Sequence, residues 1–305
     1  MNQLMDRKSQ AAKLSVYSNS CLTLLKLIAG VTTGSISVLS EAMHSAVDLI
    51  ASSIALFAVR VADLPPDEDH PYGHGKIESL SGVAEAILIF LAGAYIIFEA
   101  AHRLWNKEGP HRPDLAMVVM GISAVVNICI SRHLFKVAKE SESIALEADA
   151  QHLRSDVWTS LGVIVGLGLV YWTGLAWIDS AAAIAVAIFI LQVSWRLTRG
   201  ALDPLLDSQL PQEDIDAVRE ILTSDPNVLD FHKLRTRRSG SYRYIDAHVL
   251  MEDSLTLLES HDLTEALEDR LRLRLPNVMV TLHTEPYNAE TVHQREVHGV
   301  DLSSH

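Results

Sequence analysis

From Val157 to Ile178 the chain contains no charged residue, and beyond the single Asp179 it is uncharged again from Ser180 to Trp195. A hydrocarbon layer ~30 Å thick is crossed by a helix of roughly 20 apolar residues, so runs of this length direct the chain into a membrane as helices. Comparable runs are Ala86–Phe98 with its flanks and Leu115–Ser131. Two others are interrupted: Leu14–Gly34 by Lys26, and Ile36–Val61 by Glu41, His44 and Asp48. The pattern predicts six transmembrane helices, with small residues such as Gly162 at their contacts. The polar N-terminus, MNQLMDRKSQAAK, has no cleavable apolar core behind it, so no signal peptide is expected.

Lys and Arg in the short connections set the expected orientation. With both ends inside, the inner side holds Arg7, Lys8, Lys13, Arg60, Lys76, Arg132, Lys136, Lys139, Arg196 and Arg199. The outer side holds Arg103, Lys107 and Arg112. The expected placement is multi-pass, with cytoplasmic termini.

The last third has a different character. Residues 206–305 carry 10 Lys+Arg and 19 Asp+Glu, within a chain of net charge -13. That balance excludes a basic nucleic-acid binder held by phosphate contacts, and disfavours a peripheral protein adhering to anionic lipid. Cys21 and Cys129 lie in separate apolar segments, which argues against a disulfide scaffold or a thiolate zinc site. Periodicity predicts a small soluble α+β domain. Pro211 opens a helix bearing Ile215, Val218, Ile221 and Leu222. Strands near Val228–Arg237 and Tyr242–Met251 flank the turn Ser239-Gly240-Ser241. A second helix covers Leu257–Leu275 and stops at Pro276, and a last strand covers Val278–His283. The expected division is 1–205 for the membrane bundle, 206–290 for a cytoplasmic metal-binding and dimerisation domain, and 291–305 for a disordered tail, with periodicity already lost from Ala289.

Ionisable residues inside a spanning helix are expensive and mark function. The second helix reads Glu41-Ala42-Met43-His44-x-x-x-Asp48, and the fifth reads Asp149-Ala150-Gln151-His152-x-x-x-Asp156. A spacing of four puts His and Asp one turn apart on one face. Two such faces meeting supply two imidazoles and two carboxylates, a tetrahedral set suited to zinc. A lone His/Asp pair is more often a hydrogen-bonded pair; repetition of the whole octet favours a metal site. Glu41 and Asp149 read as interfacial or capping carboxylates rather than ligands.

Two further sets lie outside the spans. The loop Asp67-Glu68-Asp69-His70-Pro71-Tyr72-Gly73-His74-Gly75-Lys76 packs two histidines and three carboxylates into a bend. The soluble domain scatters His232, His248, His261, His283 and Glu285, the last two sharing a strand face. For any one of these, a surface histidine is the plainer reading. There is no HExxH, P-loop or GxSxG, so no enzyme is expected.

With these residues in view, the chain resembles the cation diffusion facilitators over about residues 10–287, most of all the bacterial ferrous-iron/zinc efflux group of YiiP type. The resemblance rests on six spans, the paired intramembrane octets, HPYGHGK at 70–76 and LLD at 205–207. It implies a homodimer in the bacterial cytoplasmic (inner) membrane, a C-terminal cytoplasmic α+β domain of ferredoxin-like or metallochaperone-like type, and efflux of divalent metal in exchange for protons. It assigns His44, Asp48, His152 and Asp156 to the transport site, and Asp67, His70 and His74 to a loop site. It assigns His232, His248, His261, His283 and Glu285 to a cytoplasmic two-metal site, and Lys76 with Asp207 to a charge pair that holds the dimer near the membrane. Two positions depart from the YiiP-type pattern: His44 stands where those proteins have Asp, and Glu285 where the bridging carboxylate is commonly Asp.

The expected cargo is Zn2+, also a regulatory ligand, with protons as counter-ion. Both ligand types bind metal only when deprotonated, so metal and protons compete for the same atoms. Other readings use the same residues: a transporter of this fold preferring iron, manganese or cadmium, a membrane-anchored metal sensor, and an intramembrane metalloenzyme. A permanently bound structural zinc would also use four ligands. The doubled octet argues against a sensor, and a tetrad with no obvious open position argues against an enzyme.

Overall fold

The structure, a computed structural model, describes residues 2–33, 36–106, 114–175 and 177–293. Six long helices come first: α1 (Asn2–Thr33), α2 (Ile36–Ala62), α3 (Lys76–Asn106), α4 (Asp114–Ser141), α5 (Ile144–Thr173) and α6 (Trp177–Leu202). Five contain a described stretch long and apolar enough to cross a membrane: Asp6–Thr32, Ala42–Ala62, Lys76–Trp105, Gly121–Ser141 and Ser180–Leu206. The sixth helix, α5, is 30 residues long; its first half carries Glu147, Asp149, Arg154 and Asp156, and its second half, 157–173, is uncharged. The uncharged run 157–178, expected as one span, is divided. Gly174 follows the end of α5 with φ +72°, a left-handed conformation that glycine adopts without steric cost and that closes a helix.

Helices in lipid associate through close packing rather than a hydrophobic drive. A Cβ on Gly162 would lie 2.5 Å from Val186 Cγ2, so α5 meets α6 where a larger residue forces a shift. Phe57, Phe90 and Phe98 are exposed on the bundle surface, as suits side chains facing hydrocarbon. Trp105, Trp172 and Trp177 are also exposed; they stand at the end of α3, the end of α5 and the start of α6, where amphipathic indoles anchor at an interface.

The opposite end is tied by charge. Lys8 Nζ donates to Asp63 Oδ1 (2.9 Å) and Glu78 Oε1 (2.6 Å), and Ser143 Oγ donates to Glu78 Oε2 (2.7 Å). Arg7 Nη2 lies 2.7 Å from Glu140 Oε2. These bonds join the first turns of α1 and α3 to the ends of α2 and α4 and to the α4–α5 connection. Lys8 and Glu78 are buried, so each ion depends on the other for its solvation.

A second unit, divided from the first between Leu205 and Leu206, has its own core. It runs α7 (Gln212–Thr223), β1 (Asp230–Ser239), β2 (Tyr242–Met251), α8 (Leu257–Arg274), β3 (Val278–Pro286) and α9 (Tyr287–His293). Pro211 precedes α7, and Thr256 caps α8 in a reciprocal box with Glu259. The strands stand in the order β1-β2-β3, β1 antiparallel and β3 parallel to β2. This is the ββαβ portion of a ferredoxin-like order, with a helix rather than a strand leading in. Ile245, Ala247 and Val249 alternate to one face of β2 and pack with Leu222 of α7 and Leu267 and Leu271 of α8. The other face is left for His248.

One sequence expectation fails here. The segment from Ala289, read as aperiodic, lies within α9. Asp253 Oδ1 accepts the Asn288 N–H at 2.9 Å, and Thr291 Oγ1 donates to Tyr287 O at 2.6 Å. A helix this short is held by local bonds and shows no period to read. The rest of the expected tail, 294–305, lies outside the described residues.

Replacing Glu78 by Leu strips a buried ammonium of one counter-ion and should cost about 3 kcal/mol, the scale for breaking one side of a buried pair. The double change Lys8→Met/Glu78→Leu should recover most of it. Thermal unfolding of the detergent-solubilised full chain, followed by circular dichroism, measures both.

Candidate metal centres

The two octets lie in the first halves of α2 and α5. His44 and Asp48 begin eight residues into α2, and His152 and Asp156 eight residues into α5. At 1.5 Å per residue that is roughly 12–18 Å from each helix start, near the middle of a ~30 Å layer. Lys26 Nζ donates to Ser45 Oγ (2.7 Å), Thr23 Oγ1 to Ser45 O (3.0 Å) and Asn19 Nδ2 to Asp48 O (3.4 Å), so α1 braces α2 beside the site.

All four side chains converge. His152 Nε2 lies 3.2 Å from Asp48 Oδ1, and His44 Nε2 lies 3.7 Å from Asp156 Oδ1 and 4.0 Å from Asp48 Oδ1. Ligand atoms of His44, Asp48 and Asp156 all fall within 4.8 Å of one another. Asp48 and His152 are buried, Asp156 is half-buried and His44 is the most open of the four. Asp156 Oδ2 is buried with no hydrogen-bond partner, a lone pair that a cation would satisfy. The expectation for Asp149 needs correction. It is no interfacial cap: it is fully buried in the second turn of α5, and both carboxylate oxygens lack a hydrogen-bond partner. The Glu41 side chain lies outside the described residues.

The loop before α3 gathers the second set. Asp67 Oδ1 accepts the His70 backbone N–H (2.6 Å) and lies 3.2 Å from His70 Nδ1, while Asp67 Oδ2 lies 3.3 Å from His74 Nε2. Gly73, at φ +77°, allows the bend that returns its N–H to His70 O (2.9 Å). The His70 and His74 ring centroids are 4.5 Å apart. The His70 backbone N–H, followed by the two imidazoles, holds the Asp67 carboxyl below the usual carboxylate range.

The third set is aligned by the sheet. His232 of β1 pairs with His248 of β2, which pairs with His283 of β3, so three imidazoles cross the strands in one row. The register of β1 shifts between His232 and Arg235 and holds His232 in that row. Glu285 reaches back to it: His232 Nε2 lies 2.7 Å from Oε2 and His248 Nδ1 2.6 Å from Oε1, with His283 Nε2 3.6 Å from Oε1. Partial burial pushes the Glu285 carboxyl up, and the bonds from His248 and His232 more than offset it, for a net fall.

The structure brings together His232, His248 and Glu285, with His283 at the rim. His261 is not with them; it stands exposed on α8, 3.7 Å from Glu265 Oε1. Lys76 opens α3, while Asp207 belongs to the second unit, where Arg237 Nη1 lies 3.5 Å from its Oδ1. Sequence reasoning missed Glu85, which is fully buried in α3 with neither carboxylate oxygen hydrogen-bonded. Its signal was available: Glu78 and Glu85 are seven residues apart on one helix face.

Residues 12–206 match the cation efflux transmembrane domain, and residues 210–287 match the cation efflux protein cytoplasmic domain. A cation-efflux pump FieF of Citrobacter koseri is 35% identical over 287 residues, covering 94% of this chain and 95% of that protein. The FieF of Pectobacterium atrosepticum is 34% identical over 274 residues, covering 90% and 91%. An uncharacterized transporter of Synechocystis, sll1263, is 35% identical over 276 residues, covering 90% and 89%. Among solved structures, the metal-bound C-terminal domain of the CzcD transporter from Thermotoga maritima is 26% identical over 25% of this chain and 88% of that one, with a TM-score of 0.24. On the two domain matches and the relatives that span nearly its whole length, this chain belongs to the cation efflux, or cation diffusion facilitator, family.

Proposed function

We propose that the chain exports Zn2+ from the cytoplasm in exchange for protons, cycling the intramembrane tetrad between the two sides of a bacterial inner membrane. The observation that carries this reading is the meeting of His44, Asp48, His152 and Asp156 from two helices at mid-depth. Divalent cation efflux is the family's activity; zinc, proton coupling, a homodimer and cytoplasmic termini are this reading's own additions.

The ligands supply the coupling. Zinc arriving from the cytoplasm binds neutral imidazole and ionised carboxylate, so it displaces whatever protons those groups hold. Once the bundle rocks to open outward, protons compete for the same lone pairs and release the metal. Imidazole titrates near pH ~6.5, within reach of a bacterial transmembrane pH difference. No covalent step is needed.

His44 sets the preference. A tetrad of two nitrogens and two oxygens suits zinc, whereas carboxylate and water suit manganese, which also favours six ligands. An imidazole in place of a carboxylate removes a negative charge from a low-dielectric site, so hard, strongly hydrated ions lose more than borderline ones. Asp67, His70 and His74 form a loop site, and His232, His248, His283 and Glu285 a cytoplasmic one. Filling them holds two copies of the soluble domain together and favours one state of the bundle, with Lys76 and Asp207 as a charge pair near the membrane. His261 joins the cytoplasmic set only if α8 or a second copy brings it there. Glu285, one methylene longer than Asp, already spans two imidazoles and can bridge two ions.

Asp156→Ala should abolish zinc uptake into proteoliposomes driven by a pH gradient while leaving the protein folded; uptake at the wild-type rate at equal insertion overturns the transport site. His44→Asp should let iron or cadmium through at a larger fraction of the zinc rate, read by competition in the same vesicles. If manganese competes with zinc as well as unlabelled zinc does in the wild type, selectivity does not reside in the tetrad. Zinc should raise the melting temperature of the separately expressed domain, residues 206–293, since a ligand bound only by the folded state stabilises it. His232→Ala/His248→Ala should remove that shift.

A further inference from the structure

The first position of the repeated octet has no place in the tetrad. Three residues before each histidine stands an acid, Glu41 before His44 and Asp149 before His152. In the described helix, that acid sits in a dry region with an unmatched polar balance. His152 presents Nε2 to Asp48 Oδ1 at 3.2 Å, so Nε2 is the nitrogen on the metal side. Its other nitrogen, Nδ1, is buried and has no hydrogen-bond partner. Asp149 is fully buried with both oxygens unpartnered, and Glu85 of α3 shares that state. The Ser15 hydroxyl is buried beside Asp149.

These groups complement one another. To give its Nε2 lone pair to a metal, neutral His152 must carry its proton on Nδ1, and a buried N–H without an acceptor is destabilising. A metal-bound histidine almost always donates its second N–H to a carboxylate, carbonyl or water. Side chains three apart on a helix are neighbours, and a helical side chain leans toward the preceding turn, which here carries Asp149.

We propose that Asp149 is the positioning residue of the transport site: its carboxylate accepts the His152 Nδ1–H, fixing the tautomer and ring orientation that present Nε2 to the metal. Glu85, buried on α3 and also close to His152, is the competing acceptor, which the test separates from Asp149. The inference rests on the tetrad being the metal site. The acid-Ala-x-His spacing of the α5 octet then has a physical reason, an acceptor one turn behind the imidazole.

The test uses the full chain in nanodiscs with His70, His74, His232 and His248 all replaced by Ala, so that the tetrad is the site titrated with zinc by calorimetry. Asp149→Leu, similar in volume and unable to accept, should weaken zinc binding about 10–100-fold. Asp149→Asn, whose amide oxygen still accepts, should stay much closer to the parent, and Glu85→Leu should lose less than Asp149→Leu. In the zinc-loaded parent, the His152 Nδ1-bound proton should resonate downfield in the nuclear magnetic resonance spectrum, and Asp149→Leu should move it upfield. Where Asp149→Leu does not assemble, Asp149→Ala replaces it with the same expectations. Zinc affinity within about threefold of the parent, an unmoved Nδ1–H signal, or a larger loss from Glu85→Leu overturns the assignment to Asp149. A parent that binds no zinc at all overturns the transport-site reading instead, so the two failures are distinct.

Discussion

Charge inside hydrocarbon is the constraint on which the arrangement of this molecule depends. A spanning helix satisfies its own backbone, so a side chain that is charged at mid-depth must find its partners on other helices. Several ionisable groups of the bundle join two elements in this way. Lys8 joins α1 to α2 and α3; Lys26 joins α1 to α2; Asp48 of α2 meets His152 of α5. Polar contacts thus give the bundle directional connections that apolar packing alone would not. The exceptions are informative for the same reason: buried carboxylate oxygens without a hydrogen bond include both of Asp149 and Asp156 Oδ2, on the helix that carries His152.

Bonded and unbonded polar groups are consequently separated along the helices. One end is held by a buried ion-pair network anchored on Lys8 and Glu78. At the tetrad the separations of 3.2–4.0 Å describe groups close enough to share a cation yet not locked by short hydrogen bonds. A carrier needs such an inequality. A site with every lone pair satisfied would hold its structure without metal and gain little from binding one, whereas an under-satisfied site ties its own geometry to the presence of cargo.

Much of this was legible in the residues. Strand β2 has the bounds that its alternation indicates, and α8 ends before Pro276 as a proline requires. The tetrad was legible because repetition survives without any knowledge of packing: His-x-x-x-Asp twice in apolar surroundings fixes two faces, and burial cost obliges them to meet. What was not legible depended on a third partner or on local bonds. The run 157–178 hid the turn at Gly174, since glycine in an apolar run reads as helix contact and only φ reveals a stop. The α9 helix hid behind one local bond, Thr291 to Tyr287, and one from the Asn288 N–H to Asp253, distant in sequence. Asp149 looked like a helix-end carboxylate because its sequence position, near the start of α5, matches that role; the helices packed around it bury it instead.

The cytoplasmic cluster follows different physics, and the contrast explains why its membership is less fixed. In the sheet, His232, His248 and His283 are placed by strand register, a periodicity that a one-residue slip would destroy but that no membrane enforces. Water is available there, so histidines outside the cluster carry little penalty, and His261 can stand exposed on α8 beside Glu265 at no great cost. In a dry helical bundle every ionisable group near the tetrad has to be accounted for, which makes an unmatched buried nitrogen and carboxylate there meaningful. An exposed histidine in the soluble domain acquires meaning only when a second strand, helix or protein copy delivers a partner to it.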